Sequence, residues 1–234
     1  MIIRFAEAED VEALAALEAL SWAPALAAAA ETIRERLDDL GHRCVLAEVD
    51  AVPVAACSYY HTDLDPVAFL GRVERITDVT RGRAASAGCS TCAYNLCLHP
   101  AHRGGTTVQR VIAAALRDVC AAGIRDVFGV VRCPSYAGAG PDDPESVLAD
   151  RSVHDAINHG AADGCAPQME TLLADPLLRF YFRTLGCRYV RVIPGFLPGD
   201  RASGDHGVAF LADATTAPVL RASAAEPVAG VTGC

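Results

Sequence analysis

Apolar residues recur along this chain with two periods, and the alternation between them predicts its elements. Ile2 to Phe5 form a short β-prone run. The acidic stretch Glu7-Ala8-Glu9-Asp10 follows, and then Val11, Leu14, Leu17 and Leu20 at helical spacing, with the acidic residues at the positive end of the helix dipole. Ser21-Trp22-Ala23-Pro24 breaks the pattern. Residues 29–40, with Ile33, Leu37 and Leu40 on one face, predict a second helix that ends at Gly41. Cys44 to Val49 and Val54 to Tyr59 are β-prone runs joined by Asp50-Ala51-Val52-Pro53, the signature of an antiparallel hairpin. From His61 to Ala87 the pattern weakens, and only Arg72 to Val79 reads as a strand.

Cys92 to Leu98 is a continuous apolar run that stops at His99-Pro100, as expected of a central strand buried on both faces. A polar turn, Ala101-His102-Arg103-Gly104-Gly105-Thr106-Thr107, opens into Val108 to Cys120, a helix with Val111, Ile112, Ala115, Leu116 and Val119 on its inner face. Asp126 to Val131 then supplies a second buried strand and closes a β-loop-α-β unit. Residues 134–172, rich in Pro and Gly, predict an irregular excursion. Asp175-Pro176 starts another helix with Pro in its first turn, Gly186 ends it, and Tyr189 to Ile193 and Gly207 to Leu211 are the last strands. Residues 214–234 lack periodicity and predict a flexible tail. The sum is one α/β domain over residues 1–213, with a mixed central sheet and flanking helices.

Composition narrows the function. The chain has 234 residues, 52% of them hydrophobic, and a formal net charge of −9 without any cluster of basic side chains. Phosphate neutralisation needs grouped positive charge, so a nucleic-acid partner is excluded. All 20 basic residues are Arg, which excludes Schiff-base chemistry on lysine. Most of the 10 cysteines sit inside apolar runs and read as buried thiols, and Cys89-x-x-Cys92 lacks the second ligand pair of a metal site. The opening Met1-Ile2-Ile3-Arg4-Phe5-Ala6-Glu7 lacks the charged start and apolar stretch of a targeting segment, and no apolar run reaches the ~18 residues of a membrane span. The expectation is a cytoplasmic protein without a metal or a membrane partner.

The turn at 103–107 joins the C-terminal end of a strand to a helix N-terminus, where free N–H groups and the helix dipole favour a pyrophosphate. This loop, Leu98-His99-Pro100-Ala101-His102-Arg103-Gly104-Gly105, together with the order of elements, resembles the GNAT superfamily of acyl-CoA-dependent acyltransferases across nearly all of residues 1–213. The resemblance implies a GNAT fold with two splayed parallel strands. It also implies a coenzyme A thioester substrate, acetyl-CoA or malonyl-CoA, held by Leu98, Arg103, Gly104, Gly105, Thr106, Thr107 and Val108. Thr106 and Val108 stand where the family's loop carries small residues.

A narrower resemblance rests on Ser21-Trp22-Ala23-Pro24, Ile33-Arg34-Glu35-Arg36-Leu37, Val130-Val131-Arg132-Cys133, Asp175-Pro176-Leu177-Leu178-Arg179-Phe180, Ile193-Pro194-Gly195-Phe196-Leu197-Pro198-Gly199-Asp200 and His206-Gly207-Val208. These blocks are similar to the GNAT-like domains that initiate polyketide synthesis, which decarboxylate malonyl-type CoA thioesters and in some cases load an acyl carrier protein. The C-terminal block, Ile193 to Asp200 followed by His206-Gly207-Val208, is also similar to the GNAT domains fused to nitrilase-like hydrolases. In the decarboxylating relatives a Trp, a Thr, a His and an Arg line the acyl pocket. Trp22 and Arg179 match, Val131 occupies the Thr position, and the His is His154 or His159, with His154 preferred. Tyr181 is a further candidate for general acid. Beside each role stands a bland reading: Trp22 as core, Arg179 as a solvated charge, His154 as surface. Direct N-acetylation of a small amine and non-catalytic binding of acyl-CoA are the alternatives to decarboxylation. An Arg at the acyl tip, Arg179 or Arg132, would favour a carboxylate-bearing acyl group.

Overall fold

The computed structural model describes residues 1–39, 41–82, 84–85, 88–134, 173 and 175–222. Seven strands form one sheet: β1 (Ile2–Phe5), β2 (His42–Val49), β3 (Val52–Thr62), β4 (Ser90–Leu98), β5 (Asp126–Arg132), β6 (Arg188–Ile193) and β7 (Gly207–Asp213), in the order β1-β2-β3-β4-β5-β7-β6. Every pairing is antiparallel except β4 with β5. That exception follows from the crossover helix α5 (Thr107–Ala121), because parallel neighbours need a long connection.

Alternation along the strands sends Val45 and Ala47 to one face and Cys44 and Leu46 to the other, so both faces are covered. On one side α5 packs with α6 (Pro176–Arg179), which runs into a π-turn at Phe180–Thr184, and with α7 (Pro218–Ala222). On the other, α1 (Val11–Ser21) and α2 (Ala30–Asp38) cover β2 to β4, while α3 (Pro66–Leu70) and α4 (Ile76–Thr80) cover the β5 half of the sheet. Four sequence expectations change. The hairpin link is a two-residue turn, with Asp50 and Ala51 at φ 52° and 62°, and Pro53 lies within β3 beside a register irregularity. Residues 72–79 are not a strand: the Asp78 carboxylate accepts from the Glu74 and Arg75 N–H groups and starts α4, and β-branched Val73 and Val79 are buried by packing. The second helix stops at Asp38, and Leu40 lies outside the described residues. The first part of the expected tail is packed, with Ala214, Ala217 and Val219 buried.

Candidate active site

β4 and β5 pair only from Ser90↔Asp126 to Ala93↔Gly129, and beyond that register both strands continue without each other. Two local features coincide with the divergence. Gly129 has no room for a side chain, since a Cβ there would lie 2.3 Å from the Ala93 carbonyl oxygen and 2.9 Å from the Phe210 ring. On the other edge of β4, Ser58 pairs with Asn95 and Tyr59 with Ala93, which leaves Tyr94 as the extra residue of a β-bulge. The bulge resets the alternation, so Tyr94, Asn95 and Cys97 all line the small cavity beneath α1 and α2. Without it Asn95 would face α5.

The gap opens into a cleft of about 510 Å³. The inner face of α5 forms one wall, and the π-turn after α6, with Phe180 and Tyr181, and Leu185 at its end form another. Trp22, the residue that caps α1 in an extended conformation, and Arg132, at the end of β5, stand at the cleft as well. Most of the lining is apolar. Its only charged members among the described residues are Arg103 and Arg132.

Arg132 lies over the Trp22 indole at 5.4 Å and its Nη2 donates to Asp200 at 2.5 Å. Asp200 is buried and accepts the Ser203 hydroxyl at 2.7 Å. Trp22 Nε1 donates to Asn95 Oδ1 at 3.1 Å and to Cys97 Sγ at 3.2 Å, and the Asn95 amide in turn donates to Glu18. Glu18 is buried under α1, and burial raises its carboxyl above the usual carboxylate range. Tyr181 packs on Phe210 with ring centroids 4.9 Å apart, and burial pushes its phenol well up, so it stays protonated. Nearby, Tyr59 donates to Asp118 at 2.8 Å and Arg43 pairs with the same carboxylate at 2.8 Å.

At the mouth, Gly104 has φ +84°, a backbone state that suits Gly, and neither it nor Gly105 has a neighbour where a Cβ would go. Thr106 precedes α5 without capping it through its side chain, so the first N–H groups of the helix face outward from Thr107 and Val108. Arg103, Leu98 and Val108 line the cleft beside them. These residues fit a diphosphate: open backbone donors, a helix dipole and one guanidinium.

The structure thus brings together Trp22, Leu98, Arg103, Val108 and Tyr181, with Gly104, Gly105, Thr106 and Thr107 at the entrance. Arg179 is exposed on α6 and does not line the cleft, so of the two arginines Arg132 faces it. Val131, also in the lining, presents no hydroxyl there. His154 and His159 lie outside the described residues, as does most of the 134–172 excursion. Cys92 is buried in β4 whereas Cys89 is exposed. Asn95, Glu18 and Asp118 were not singled out by the sequence. Their common signal is a polar residue on an apolar stripe: Glu18 one turn after Leu14, Asp118 one turn after Ala114 and Ala115, and Asn95 inside the apolar run of β4.

No protein-family model matches the chain, and no curated protein matches its sequence. Solved structures do match. The loading GNATL domain of CurA from Lyngbya majuscula superposes with a TM-score of 0.69 at 22% identity, covering 91% of this chain and 97% of that one. The GphF GNAT-like decarboxylase in complex with isobutyryl-CoA gives 0.63 at 24% identity, covering 92% and 100%. An aminoglycoside 6'-N-acetyltransferase complexed with coenzyme A gives 0.54 at 12% identity, covering 92% and 97%. The chain has the GNAT fold, as its sequence led one to expect.

Proposed function

We propose that this GNAT fold serves as an acyl-CoA-dependent acyltransferase that takes a malonyl-type thioester, releases CO2 from it, and passes the acyl group to the phosphopantetheine thiol of an acyl carrier protein. The observation that carries the reading is the charge of the cleft: Arg103 at the mouth, Arg132 within, and no carboxylate among the described lining residues. An acetyltransferase for a small amine must attract a cation and remove its proton, for which a carboxylate-free apolar cleft is poorly made. An acyl group ending in a carboxylate needs a cationic seat instead. Arg132 supplies one, held over Trp22 and tethered by Asp200.

The residues divide the work. The N–H groups at the start of α5, with Arg103, hold the diphosphate of the thioester substrate. The backbone of β4 beyond Ala93, freed from β5, faces the gap in which the thioester carbonyl would lie. Decarboxylation breaks the bond between the carboxylate and the α-carbon and moves its electron pair into the thioester enolate. Donors already in place stabilise that charge. Tyr181, a neutral phenol, is a donor facing the cleft, and it or His154 returns a proton to the α-carbon. Transfer needs no nucleophilic side chain, because holding the thioester beside the acceptor thiol supplies most of the acceleration. The isobutyryl-CoA bound by the structurally similar decarboxylase supports a CoA thioester here. Val131 favours a second reading, direct transfer without loss of CO2, because it removes a hydroxyl donor that the resemblance places at the acyl pocket.

The test is mass spectrometry of the protein incubated with acetyl-, malonyl- and methylmalonyl-CoA, each with and without a phosphopantetheinylated carrier protein. Loss of CO2 from a malonyl thioester and appearance of acylated carrier is the expected result. Consumption of acetyl-CoA only when an amine is present replaces the proposal with an N-acetyltransferase. No consumption of any thioester leaves a binding module.

A further inference from the structure

One polar chain at the cleft begins outside it. Glu18, in the last turn of α1, and Trp22, the extended residue that caps that helix, both reach across to β4. Between them sits the Asn95 amide, whose two ends have different partners: Nδ2 donates to Glu18, and Oδ1 accepts from Trp22 Nε1 at 3.1 Å. An indole N–H only donates, so its partner must be the amide oxygen, and an ionised carboxylate only accepts, so its partner must be the amide nitrogen. The Glu18 carboxylate therefore fixes which way Asn95 points. Asn95 in turn fixes the indole, and the indole is the surface on which the Arg132 guanidinium rests at 5.4 Å.

We propose that Glu18 is a positioning residue for the acyl seat, acting through Asn95 and Trp22 on Arg132. The assignment of Arg132 as that seat rests on the function proposed above, whereas the link from Glu18 to Trp22 does not. A protonated Glu18 would present a hydroxyl donor beside its remaining carbonyl acceptor, so that it could meet either end of the Asn95 amide. The orientation of the amide would then rest on the Trp22 N–H alone, without the carboxylate that holds its other end. The groups facing Glu18 are the Ala28 N–H, at 3.3 Å from its second oxygen, Arg36 from α2, Cys44 from β2, and Asn95 and Cys97 from β4; His42 and Arg43 line the same small cavity. Burial dominates this set and moves the titration of Glu18 upward.

The chain contains one tryptophan, so its emission reports Trp22 alone. The experiment is a pH titration of that emission on the intact protein, with circular dichroism at each point to confirm the fold. In the wild type a single transition is expected at a pH above the ordinary glutamate range, and in Glu18→Gln that transition is absent. A transition that persists unchanged in Glu18→Gln, or a wild type without one, overturns the proposal. Asn95→Ala breaks the same link from its other side and serves if Glu18→Gln does not fold. The kinetic arm uses malonyl-CoA: Glu18→Gln is expected to lower kcat by roughly tenfold with little change in KM, since the diphosphate loop is untouched. An unchanged kcat with a lost transition confines Glu18 to orienting Trp22 and overturns its action on Arg132. If neither protein consumes malonyl-CoA, the proposed function fails while the emission titration still decides the link.

Discussion

Arg132 carries an enclosed ion pair and, in the function proposed for the cleft, the acyl seat as well. Its ion pair with Asp200 is largely enclosed, with side-chain exposures of 20% and 3%, so losing the guanidinium leaves a buried carboxylate with the Ser203 hydroxyl as its remaining described partner. Arg132→Met keeps the stem against Trp22 and is expected to lower stability by about 3 kcal/mol and malonyl-CoA turnover by roughly 10²-fold. Denaturant unfolding and CO2 release measure the two effects. They separate in the double variant Arg132→Met/Asp200→Asn, which should recover much of the stability and none of the turnover. If the double variant regained turnover, Arg132 would be a structural cation and the carboxylate seat would lie elsewhere. The residues that carry this argument were unevenly legible. Trp22 and Tyr181 were visible through family resemblance, and Arg132 as a discriminator. Glu18 and Asn95 were not, because a polar residue on an apolar stripe declares a burial problem without declaring which distant residue solves it.

At the scale of elements, the site depends on where two parallel strands stop pairing. Gly129 is the last β5 residue opposite β4, and it makes room for both the Ala93 carbonyl and the Phe210 ring that supports Tyr181. Gly129→Ala places a methyl group inside those contacts. The expected cost is about 1–3 kcal/mol, together with weaker binding of coenzyme A as the cleft distorts. Thermal unfolding and calorimetric titration with coenzyme A give both quantities, and a variant with wild-type values would mean that the divergence is set by the Tyr94 bulge alone. The β-loop-α-β unit, the extent of α5 and the existence of the last two strands could be read from periodicity, since each depends on residues a few positions apart. α3 and α4 could not: each has five residues, too few to show a period, and the β-branched residues at 73 and 79 imitated a strand.

The molecule as a whole should be sensitive to mild acid. His42 and His61 are both largely enclosed, and burial holds their imidazoles below the ordinary histidine range. His61 shares its Nδ1 with Thr91 at 2.9 Å, and His42 shares its own with Tyr94 at 3.2 Å. Both are neutral in the fold, so the unfolded chain binds more protons once the pH drops below the unperturbed value near 6.5. Their contribution is fully present above about pH 6.5 and is lost as the pH falls through their folded values. Melting temperature should therefore fall as the pH drops below about 6.5, well above the window of a paired carboxylate such as Asp213, which its Thr215 and Arg125 partners lower to about 2. His61→Gln should flatten the slope, and an unchanged slope would assign the acid sensitivity to His42 or to carboxylates.

What the sequence determined by itself is what short-range physics can decide. Period 2 against period 3.6 set strands against helices, and the turn at Arg103 to Thr107 placed a set of open N–H donors at the start of α5. The polar contacts around the cleft depend instead on long-range packing. The Trp22 to Asn95 bond spans 73 positions and the Glu18 to Asn95 bond 77, and the bulge that turns Asn95 toward α1 exists only because β3 pairs with β4 out of step. A contact of that kind has no local signature, since its partners are chosen by how the layers pack against one another.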